Sequence, residues 1–286
     1  MTSRIARAIV PDNMRQLVRT VATELPLMIR DAGDDIRDHS LPGPIRRFRV
    51  AGTTSRAQFI HVGQRGAEEL MWAMPRPITD DDIVLDLGCG SGRIARHFAF
   101  VKNLYGIDID ASAIRWCRRH LRGTYEVRDT PPLGIAFTMI YAVSVFTHMD
   151  EREQDVMLDA IDRALAPDGI LIVTLHNPEH VHVRGAQLND EGFAFVSGSG
   201  PFNENSAFHD VRYLQSHWSR WFELVRHVPF GFVGFHDLAV LRRKTSRTRL
   251  PRSSSPLRRR AVACETCHEF IESAPLQTLS HANPEN

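Results

Sequence analysis

The amino-acid sequence predicts an α/β fold built on a doubly wound, largely parallel sheet, and three observations support this prediction. Short aliphatic runs alternate with amphipathic helical segments over residues 48–244. A cluster of glycines follows the first of these runs, and acidic residues stand at the ends of the next two. Such alternation is typical of βαβ units, in which right-handed crossovers join parallel strands through helices.

The first half of this region predicts three strands and the helices between them. Residues 83–87 form a short apolar run that suits a buried strand, and residues 94–100 continue as a helix. Residues 104–107 are the second predicted strand. Asp110 is the expected N-cap of the next helix, because its carboxylate can accept bonds from the first N–H groups of that helix. Residues 125–127 are the third strand.

The second half predicts four further strands. Residues 137–145 are the fourth strand, and residues 170–175, nearly all aliphatic, are a central fifth strand. The segment between them is a helix over 151–166, ended by a turn at Pro167-Asp168-Gly169. After an irregular stretch over 176–208, we expect a helix over 211–221 and closing strands over 222–228 and 235–242.

Residues 1–47 predict a helical extension of the main domain, which we expect over residues 48–244. Apolar residues recur in the extension at helical spacing, with charged residues between them: Met14, Leu17, Val18, Val21 and Leu25. We interpret this pattern as a helix that packs on the main domain. A helix that binds a partner or a membrane surface is the alternative.

Residues 245–286 differ in composition and are predicted to be a disordered basic and polar tail. Residues 245–260 are rich in Ser, Arg and Pro and contain no acidic residue. Contact with phosphate or acidic lipid is the alternative to a solubilising role. The sequence Cys264-Glu265-Thr266-Cys267-His268 matches the attachment pattern of c-type haem, and we interpret it as a chance match because no secretion signal accompanies it.

The overall composition excludes several classes of protein. With 43% hydrophobic and 24% charged residues, the 286-residue chain can bury a large core, and its formal net charge of +1 gives no general attraction to nucleic acid. No apolar run has the length of a signal peptide or a membrane span, so we expect a cytoplasmic protein. The four cysteines predict no disulfide framework, and the oligomeric state does not follow from these features.

The glycine cluster after the first strand reads Asp86-Leu87-Gly88-Cys89-Gly90-Ser91-Gly92-Arg93. In an open α/β sheet, ligands bind beyond the carboxyl ends of the strands, and glycines there permit positive φ and close approach of a ligand. The spacing Asp-x-Gly-x-Gly-x-Gly differs from the dinucleotide pattern, which needs a glycine at position 93. A carboxylate at Asp86 would repel a pyrophosphate, whereas it suits the ammonium and sulfonium charges of S-adenosylmethionine (SAM).

Two further acids stand where a nucleoside would need them. Asp108 ends the second strand, twenty positions after Gly88, and its two oxygens can accept both hydroxyls of a ribose. Asp129 follows the third strand and can accept a bond from the amino group of adenine. A single acid after a strand is usually an ordinary loop residue, so the prediction depends on all three acids together.

These segments resemble the motifs of the class I SAM-dependent methyltransferases, over residues 48–244. The resemblance includes Pro132-Leu133, the run from Ser144 to His148, and Arg163-Ala164-Leu165-Ala166-Pro167-Asp168-Gly169. A narrower similarity, to methyltransferases encoded beside bacterial glycosyltransferases, is carried by Phe146-Thr147-His148, Thr174-Leu175-His176 and His236-Asp237-Leu238-Ala239-Val240-Leu241. One departure is Thr138, since family members usually carry an acid at the start of the fourth strand.

The resemblance implies a Rossmann-like sheet of seven strands in the order 3-2-1-4-5-7-6, with the seventh strand antiparallel. It also implies how SAM is bound. Asp86 and the backbone of Gly88, Cys89, Gly90 and Gly92 would hold the methionine part, Asp108 with Ile109 the ribose, Asp129 with Thr130 the adenine, and Ser144 the sulfonium side.

The implied activity is methyl transfer to a small molecule or a saccharide, at a hydroxyl, which requires a base. Two histidines in the loops after the fourth and fifth strands are candidates. His176 is preferred, because it follows the central fifth strand, and His148 is second; a purely structural role is the alternative for each. We expect the long segment 177–208 to cover the substrate. Glu179, His180 and His182 have no regular ligand spacing, so we predict no metal site.

Two other functions are compatible with the same sequence. A SAM-binding protein without activity could serve as a regulatory or scaffolding subunit, because no catalytic residue is fixed by a motif. A methyltransferase acting on RNA or protein is the second alternative. The near-neutral domain carries no strong signal for nucleic-acid binding and speaks against RNA.

Overall fold

The computed structural model describes residues 12–198 and 205–244 of the chain. Its strands within these ranges are β1 (Ile83–Leu87), β2 (Asn103–Asp108), β3 (Thr124–Val127), β4 (Phe137–Ala142), β5 (Leu165–Leu175), β6 (Phe193–Val196), β7 (Ser206–His209), β8 (Phe222–Phe232) and β9 (His236–Arg243). Its α-helices there are α1 (Asp12–Arg37), α2 (Pro44–Ala51), α3 (Arg56–Ala73), α4 (Ala111–His120), α5 (Glu151–Ala164) and α6 (Val211–Ser216).

Seven of these strands form one sheet in the order β3-β2-β1-β4-β5-β9-β8, and β6 pairs with β7 in a separate hairpin. Since β8 and β9 are the sixth and seventh strands of the main sheet, the predicted order 3-2-1-4-5-7-6 is confirmed. β9 runs antiparallel to β5, and β1 to β5 are parallel to one another. The strand order reverses between β1 and β4, since β2 and β3 lie on one side of β1 and β4 and β5 on the other. Such sheets bind ligands at this point.

The sheet is buried on both faces, which explains its nearly continuous apolar strands. Neighbouring residues of one strand belong to different cores, as Leu171 lies in one core and Ile172 in the other. One core includes the buried side of α5 and α6, and the second includes that of α3 and α4. Burial of apolar surface stabilises a fold by about 25 cal/mol per Å². Because this sheet is buried on both faces, it is a stable support for the loops at its ends.

The N-terminal helices are joined through buried ion pairs. Arg47 of α2 is completely buried, and its guanidinium contacts both carboxylate oxygens of Asp35 at 2.7 and 2.8 Å. The same guanidinium donates to the carbonyl groups of Thr54 and Pro42, each at 2.7 Å. Two carboxylate oxygens and two carbonyl oxygens accept bonds from this guanidinium, so its buried charge is compensated. The boundary predicted between residues 47 and 48 falls inside α2, and the division into domains stays a prediction.

Several element boundaries differ from the predicted ones. β5 begins at Leu165, which pairs with Phe137, so residues 167–169 form a bulge within the strand instead of a turn before it. A Cβ on Gly169 would lie 2.6 Å from the carbonyl oxygen of Phe137, so glycine permits this approach. The helix expected over 94–100 is a short 3-10 helix, Ala95–Phe98, and the helix expected over 211–221 divides into α6 and a 3-10 turn, Trp218–Arg220.

The segment between β5 and α6 contains the β6–β7 hairpin, which the sequence did not predict. Phe193 stacks on Tyr213 with ring centroids 4.8 Å apart, and Phe208 is completely buried. These two aromatic side chains therefore pack into the protein. Residues 199–204 of the segment lie outside the described residues, as does the tail after residue 244 with its Cys-x-x-Cys-His sequence. Within them, no helix is both long and apolar enough to cross a bilayer.

Candidate functional site

The glycine turn follows β1, and its three glycines all adopt positive φ: +77° at Gly88, +49° at Gly90 and +67° at Gly92. A Cβ on each would lie 2.5 Å from Val145, 2.9 Å from Val50 and 2.1 Å from Leu121, respectively. The glycines therefore let the turn pack against side chains of the chain itself, and the close approach of a ligand to them stays a prediction.

Main-chain bonds join the turn to the end of β2. The N–H groups of Gly88 and Cys89 donate to the carbonyl oxygen of Ile107, at 2.8 and 3.0 Å. The N–H of Gly90 donates to one carboxylate oxygen of Asp108 at 2.8 Å, and the N–H of Asp110 donates to the other at 2.8 Å. Both oxygens of Asp108 are thereby held in fixed positions at the carboxyl end of β2.

Asp86 lies beneath the turn and is only 3% exposed. Burial raises the pKa of its carboxyl group to about 7, and the nearby charge of Asp108 acts in the same direction. A bond from the N–H of Ala95 acts against this shift, as does Tyr141. Burial also raises the pKa of Asp108. Asp86 can therefore change its charge near neutral pH.

Two buried thiols fill the space behind the turn. Cys89 and Cys117 are both free, and both donate to the carbonyl oxygen of Gly90, at 3.6 and 3.3 Å. The hydrogen bond with Cys117, together with burial, raises the pKa of Cys89 well above its usual range. The thiol thus stays protonated and acts as a small apolar group.

The residues predicted to hold ribose and adenine lie at the neighbouring ends of β2 and β3. These strands are parallel, with Asp108 opposite Val127. Ile109 is 45% exposed, Asp129 is exposed, and the Thr130 hydroxyl donates to Asp129 at 3.4 Å. The strand ends therefore present one apolar and two polar side chains beside Asp108.

Ser144 is located after β4 in a conformation that non-glycine residues rarely adopt, with φ of +58°. Its N–H donates to the hydroxyl of Thr174 on β5 at 2.8 Å. Val145, the next residue, contacts the Gly88 face of the turn. The β4 loop thus forms a wall next to the glycine turn.

Three histidines come together on the other side of this loop. The ring centroids of His148 and His176 are 6.1 Å apart, and those of His176 and His236 are 5.2 Å apart. His148 follows β4, His176 follows β5, and His236 begins β9. Because β9 is antiparallel to β5, its first residue lies at the same edge as the ends of β4 and β5. His236 was not among the predicted site residues, because it begins a strand and the two predicted histidines follow strands.

Side-chain bonds fix the backbone of two of these histidines. Asn177 follows His176, and its amide donates to Asp237, which follows His236, at 2.7 Å. Asp237 also accepts from the N–H of Phe230 at 2.9 Å and contacts His227 at 2.9 Å. Although burial opposes ionisation, these bonds lower the pKa of Asp237. A buried carboxylate therefore locks the end of β5 to the start of β9.

Burial keeps all three imidazoles neutral near pH 7. It lowers the pKa of His148, lowers that of His176 well below its usual range, and lowers that of His236 to about 3. His148 Nδ1 lies 2.7 Å from the carbonyl oxygen of Asn205. A neutral imidazole in this contact carries its proton on Nδ1, which leaves the lone pair on Nε2.

The polar residues near His180 do not form a metal cluster within the described part of the chain. His180 contacts the rings of Phe230 and Phe235, at 5.7 and 6.4 Å between centroids. Among described side chains, the group that brings ligand atoms within 4.8 Å of one another is Glu151, Glu191 and His217. That group lies at the start of α5, and Asp155 already contacts His217 at 2.7 Å.

Thr138 takes part in a carboxylate network at the opposite edge of the sheet. Its hydroxyl donates to Asp82 at 2.8 Å and accepts from the N–H of Ile83 at 3.1 Å. Asp82 also contacts Arg76, which is the main cause of its strongly lowered pKa. Thr138 therefore binds the Asp82 carboxylate at the end of the sheet opposite the glycine turn.

Comparison with known proteins confirms the predicted fold and finds a similarity to a methyltransferase domain over part of the chain. A family model described as a methyltransferase domain matches residues 84–169. Cyclopropane-fatty-acyl-phospholipid synthase of Escherichia coli strain K12 is 30% identical over 95 residues, which are 32% of this chain and 25% of that protein. The chain thus spans about a quarter of the length of the curated relatives it matches.

Among solved structures, the glycopeptide N-methyltransferase MtfA is similar over 64% of this chain and 90% of its own, with a TM-score of 0.50 and 15% identity. This similarity concerns the fold. The narrower resemblance, to methyltransferases encoded beside glycosyltransferases, stays a prediction.

Proposed function

We propose that this protein is a SAM-dependent methyltransferase that acts on a hydroxyl of a small molecule or a saccharide. The observation that carries the proposal is the fixed Asp108 carboxylate beside the glycine turn, at the point where the strand order reverses. This turn and Asp108 both lie within the segment that matches the methyltransferase domain.

The chemistry of the residues present fits SAM as the cofactor. Three carboxylates surround the turn and the neighbouring strand ends, Asp86, Asp108 and Asp129, which favours a cationic ligand and disfavours a pyrophosphate. When bound, SAM supplies a methyl group on a positively charged sulfur. The protein's task is then to hold the acceptor in line with that group and to exclude water.

Each half of the nucleoside has a partner in this arrangement. Asp108 would accept the ribose hydroxyls, because each of its oxygens has a further lone pair besides the one that binds a backbone N–H. Ile109 would pack beside the ribose, and Asp129 with Thr130 would bind the adenine. Ser144 would face the sulfonium.

His148 and His176 are the candidate bases for the acceptor hydroxyl. The contact between His148 Nδ1 and the Asn205 carbonyl supports His148, because it leaves the basic lone pair on Nε2. His176 is more deeply buried, and its pKa lies further below neutrality, so it would accept a proton with less driving force. The β6–β7 segment would cover the acceptor, since β7 pairs with His176 through Phe208.

Binding and turnover assays on the full chain test the proposal. Calorimetry is expected to show binding of SAM and of S-adenosylhomocysteine, with NAD as the control that does not bind. Turnover would be followed by release of S-adenosylhomocysteine in the presence of a panel of monosaccharides and small alcohols. Binding of NAD in place of SAM would contradict the proposal, and binding without turnover on any acceptor would favour the silent scaffolding protein.

A further inference from the structure

Two carboxylates and an imidazole that belong neither to the glycine turn nor to the three histidines meet where the segment before β6 reaches α5. Glu151 is the first residue of α5, Glu191 stands in the turn before β6, and His217 is the C-cap of α6. One oxygen of each carboxylate and one nitrogen of the imidazole lie within 4.8 Å of one another. Three segments distant in sequence thus bring three potential metal ligands to one point.

Asp155 determines which nitrogen of His217 is available to a metal. Its carboxylate lies 2.7 Å from Nε2, and because a carboxylate only accepts, Nε2 carries the proton of the neutral ring. The lone pair is then on Nδ1, which is the nitrogen that faces Glu151. Metal-binding histidines usually have such a carboxylate on the far nitrogen, since it fixes the ring and makes the binding nitrogen more basic.

The spacing of the two facing atoms suits a shared ion. Nδ1 of His217 lies 3.7 Å from Oε1 of Glu151, which is too long for a hydrogen bond. Bonds of about 2.0 to 2.2 Å to a tetrahedral zinc ion place neighbouring ligand atoms about 3.3 to 3.6 Å apart. Because both atoms carry lone pairs, a cation between them would remove their mutual repulsion.

Tyr213 holds both of these ligands in position. Its buried hydroxyl donates to Oε1 of Glu151 at 2.9 Å, and its ring stacks on that of His217 with centroids 4.7 Å apart. The local charge also favours a cation. Arg220 donates to both oxygens of Asp155, at 2.9 and 3.0 Å, and contacts the imidazole there. Three carboxylates and one guanidinium leave an excess of negative charge at this point.

The backbone that carries Glu191 is fixed as well. The side chain of Asn189 accepts from the N–H of Phe193 at 2.9 Å. The carbonyl oxygen of Gly192 accepts from the N–H of Asp210, the N-cap of α6, at 2.8 Å. The turn is therefore attached to the start of α6, and little ordering of the chain is needed when its carboxylate binds an ion.

We propose that Glu151, Glu191 and His217 bind Zn²⁺, which joins the segment before β6 to α5. An imidazole favours a transition metal, whereas Mg²⁺ and Ca²⁺ prefer oxygen ligands alone, and water would complete the zinc coordination. The ion would fix the segment that we expect to cover the acceptor. The absence of a metal site was predicted for Glu179, His180 and His182, and this site uses other residues, whose distance in sequence leaves no motif.

The first test is a metal titration of the full chain after dialysis against EDTA, with Zn²⁺ by calorimetry and with Co²⁺ by visible absorption. Cys264, Cys267 and His268 could also bind Zn²⁺, so every protein compared carries Cys264→Ser and Cys267→Ser. We expect one tightly bound ion per chain. Glu191→Gln and His217→Gln should each weaken its binding by at least about 100-fold, because loss of a ligand costs more than loss of its orienting partner.

Asp190→Asn is the matched control for charge. It removes a neighbouring exposed carboxylate from the same turn and should leave Zn²⁺ affinity nearly unchanged. Circular dichroism checks that each variant is folded, and Glu191→Gln, at an exposed position, is expected to match the unaltered protein.

The second test is hydrogen exchange of residues 185–196 with and without Zn²⁺. Attachment of this segment to α5 predicts slower exchange of these amides with the ion bound, and no such protection in Glu191→Gln. The melting temperature should also rise with Zn²⁺ concentration, because the ion binds the folded chain.

Each outcome supports or overturns the site. Equal Zn²⁺ affinity in the unaltered protein, Glu191→Gln and His217→Gln would show adventitious binding by other side chains and overturn it. Preference for Mg²⁺ or Ca²⁺ would overturn the choice of metal, and binding without protection of residues 185–196 would overturn the attachment of the segment. These measurements involve neither SAM nor an acceptor, so their result is independent of the proposed function.

Discussion

The two halves of the sheet edge are built by different means. The half at β1, β2 and β3 consists of a turn with three positive-φ glycines and of carboxylates bound by backbone N–H groups. The half at β4, β5 and β9 consists of histidine side chains from three separate segments. The geometry of the first half is determined by a short, contiguous stretch of sequence. The second half forms only when the fold brings three distant segments together.

Burial also shifts the pKa values of the two halves in opposite directions. It raises the pKa of Asp86 to about 7 and lowers that of His236 to about 3, so in both halves it favours the neutral form. The acid half is thus able to gain negative charge near neutral pH, while the histidine half stays uncharged. A cationic cofactor and a neutral acceptor would match this division.

The largest expected effect concerns the base in the histidine half. His148→Ala should lower the rate of methyl transfer by roughly 100- to 10,000-fold and leave SAM affinity nearly unchanged, because general-base catalysis contributes by this amount. The measurement is turnover and SAM binding of His148→Ala and His176→Ala, with an acceptor identified from the panel. Loss confined to His176→Ala would assign the base to His176, and full activity in both variants would remove the histidines from the chemistry.

In the acid half, Asp108→Ala should weaken SAM binding by at least about tenfold. The variant loses a charged acceptor for the ribose, and bonds to charged groups contribute about 1.5 to 3 kcal/mol each. Calorimetry with SAM checks this, and Asp159→Ala on the exposed face of α5 is a matched control. Unaltered SAM affinity in Asp108→Ala would mean that Asp108 does not bind the ribose and that the cofactor site is assigned to the wrong half.

The stability of the histidine half should depend on pH in a defined direction. In the folded protein the pKa of His236 is about 3, below its ordinary value of about 6.5. Between these two pH values, the unfolded chain binds a proton on His236 and the folded chain does not. Stability is therefore fully present above pH 6.5 and falls as the pH decreases, by about 2 kcal/mol between pH 6.5 and pH 5 for this group.

Urea unfolding at pH 7 and pH 5 tests this dependence. His236→Gln should lose less stability on acidification than the unaltered protein, whereas His61→Gln, at an exposed position of α3, should behave like the unaltered protein. An equal loss in His236→Gln would show that His236 does not resist protonation.

A further expected effect is the pH dependence of cofactor binding in the acid half. Since the folded pKa of Asp86 is about 7, its contribution to the stability of the ligand-free protein falls as the pH rises from about 4 through 7. A cation nearby favours the ionised form, so SAM affinity should rise by up to about tenfold per pH unit below 7 and then level off. Calorimetry between pH 5.5 and 8 measures it.

Asp86→Asn should remove this pH dependence, and Asp81→Asn, at an exposed position near Lys102, should retain it. If the SAM affinity of the unaltered protein does not change with pH, the ionisation of Asp86 is not coupled to cofactor binding. Asp86 would then only stabilise the glycine turn.

The sequence predicted the parts of the molecule that local patterns determine. The parallel strands follow from the alternation of apolar runs and helices, whereas their order was implied by the resemblance to class I SAM-dependent methyltransferases. The N-cap at Asp110 was predicted from its position and is observed. β5 was predicted to begin five residues late, because its bulge resembles a turn in sequence. The β6–β7 hairpin was missed because its strands are only four residues long.

The histidine half could be predicted only in part, because its assembly depends on distant contacts. His148 and His176 follow strands and were selected for that reason. His236 is the first residue of a strand, and only the antiparallel direction of β9 brings it to the same end of the sheet. The burial that lowers its pKa comes from side chains distant in sequence, so no local pattern could have indicated it.

The backbone at Ser144 has a consequence for how this protein could be altered. A serine held at φ of +58° costs roughly 1 to 2 kcal/mol relative to a relaxed backbone, and glycine would relieve that strain. Glycine would also remove the hydroxyl predicted to face the sulfonium. If Ser144 has its proposed role, selection for thermal stability and selection for turnover would act in opposite directions at this position. A library screened for melting temperature alone would then discard the side chain proposed to face the sulfonium.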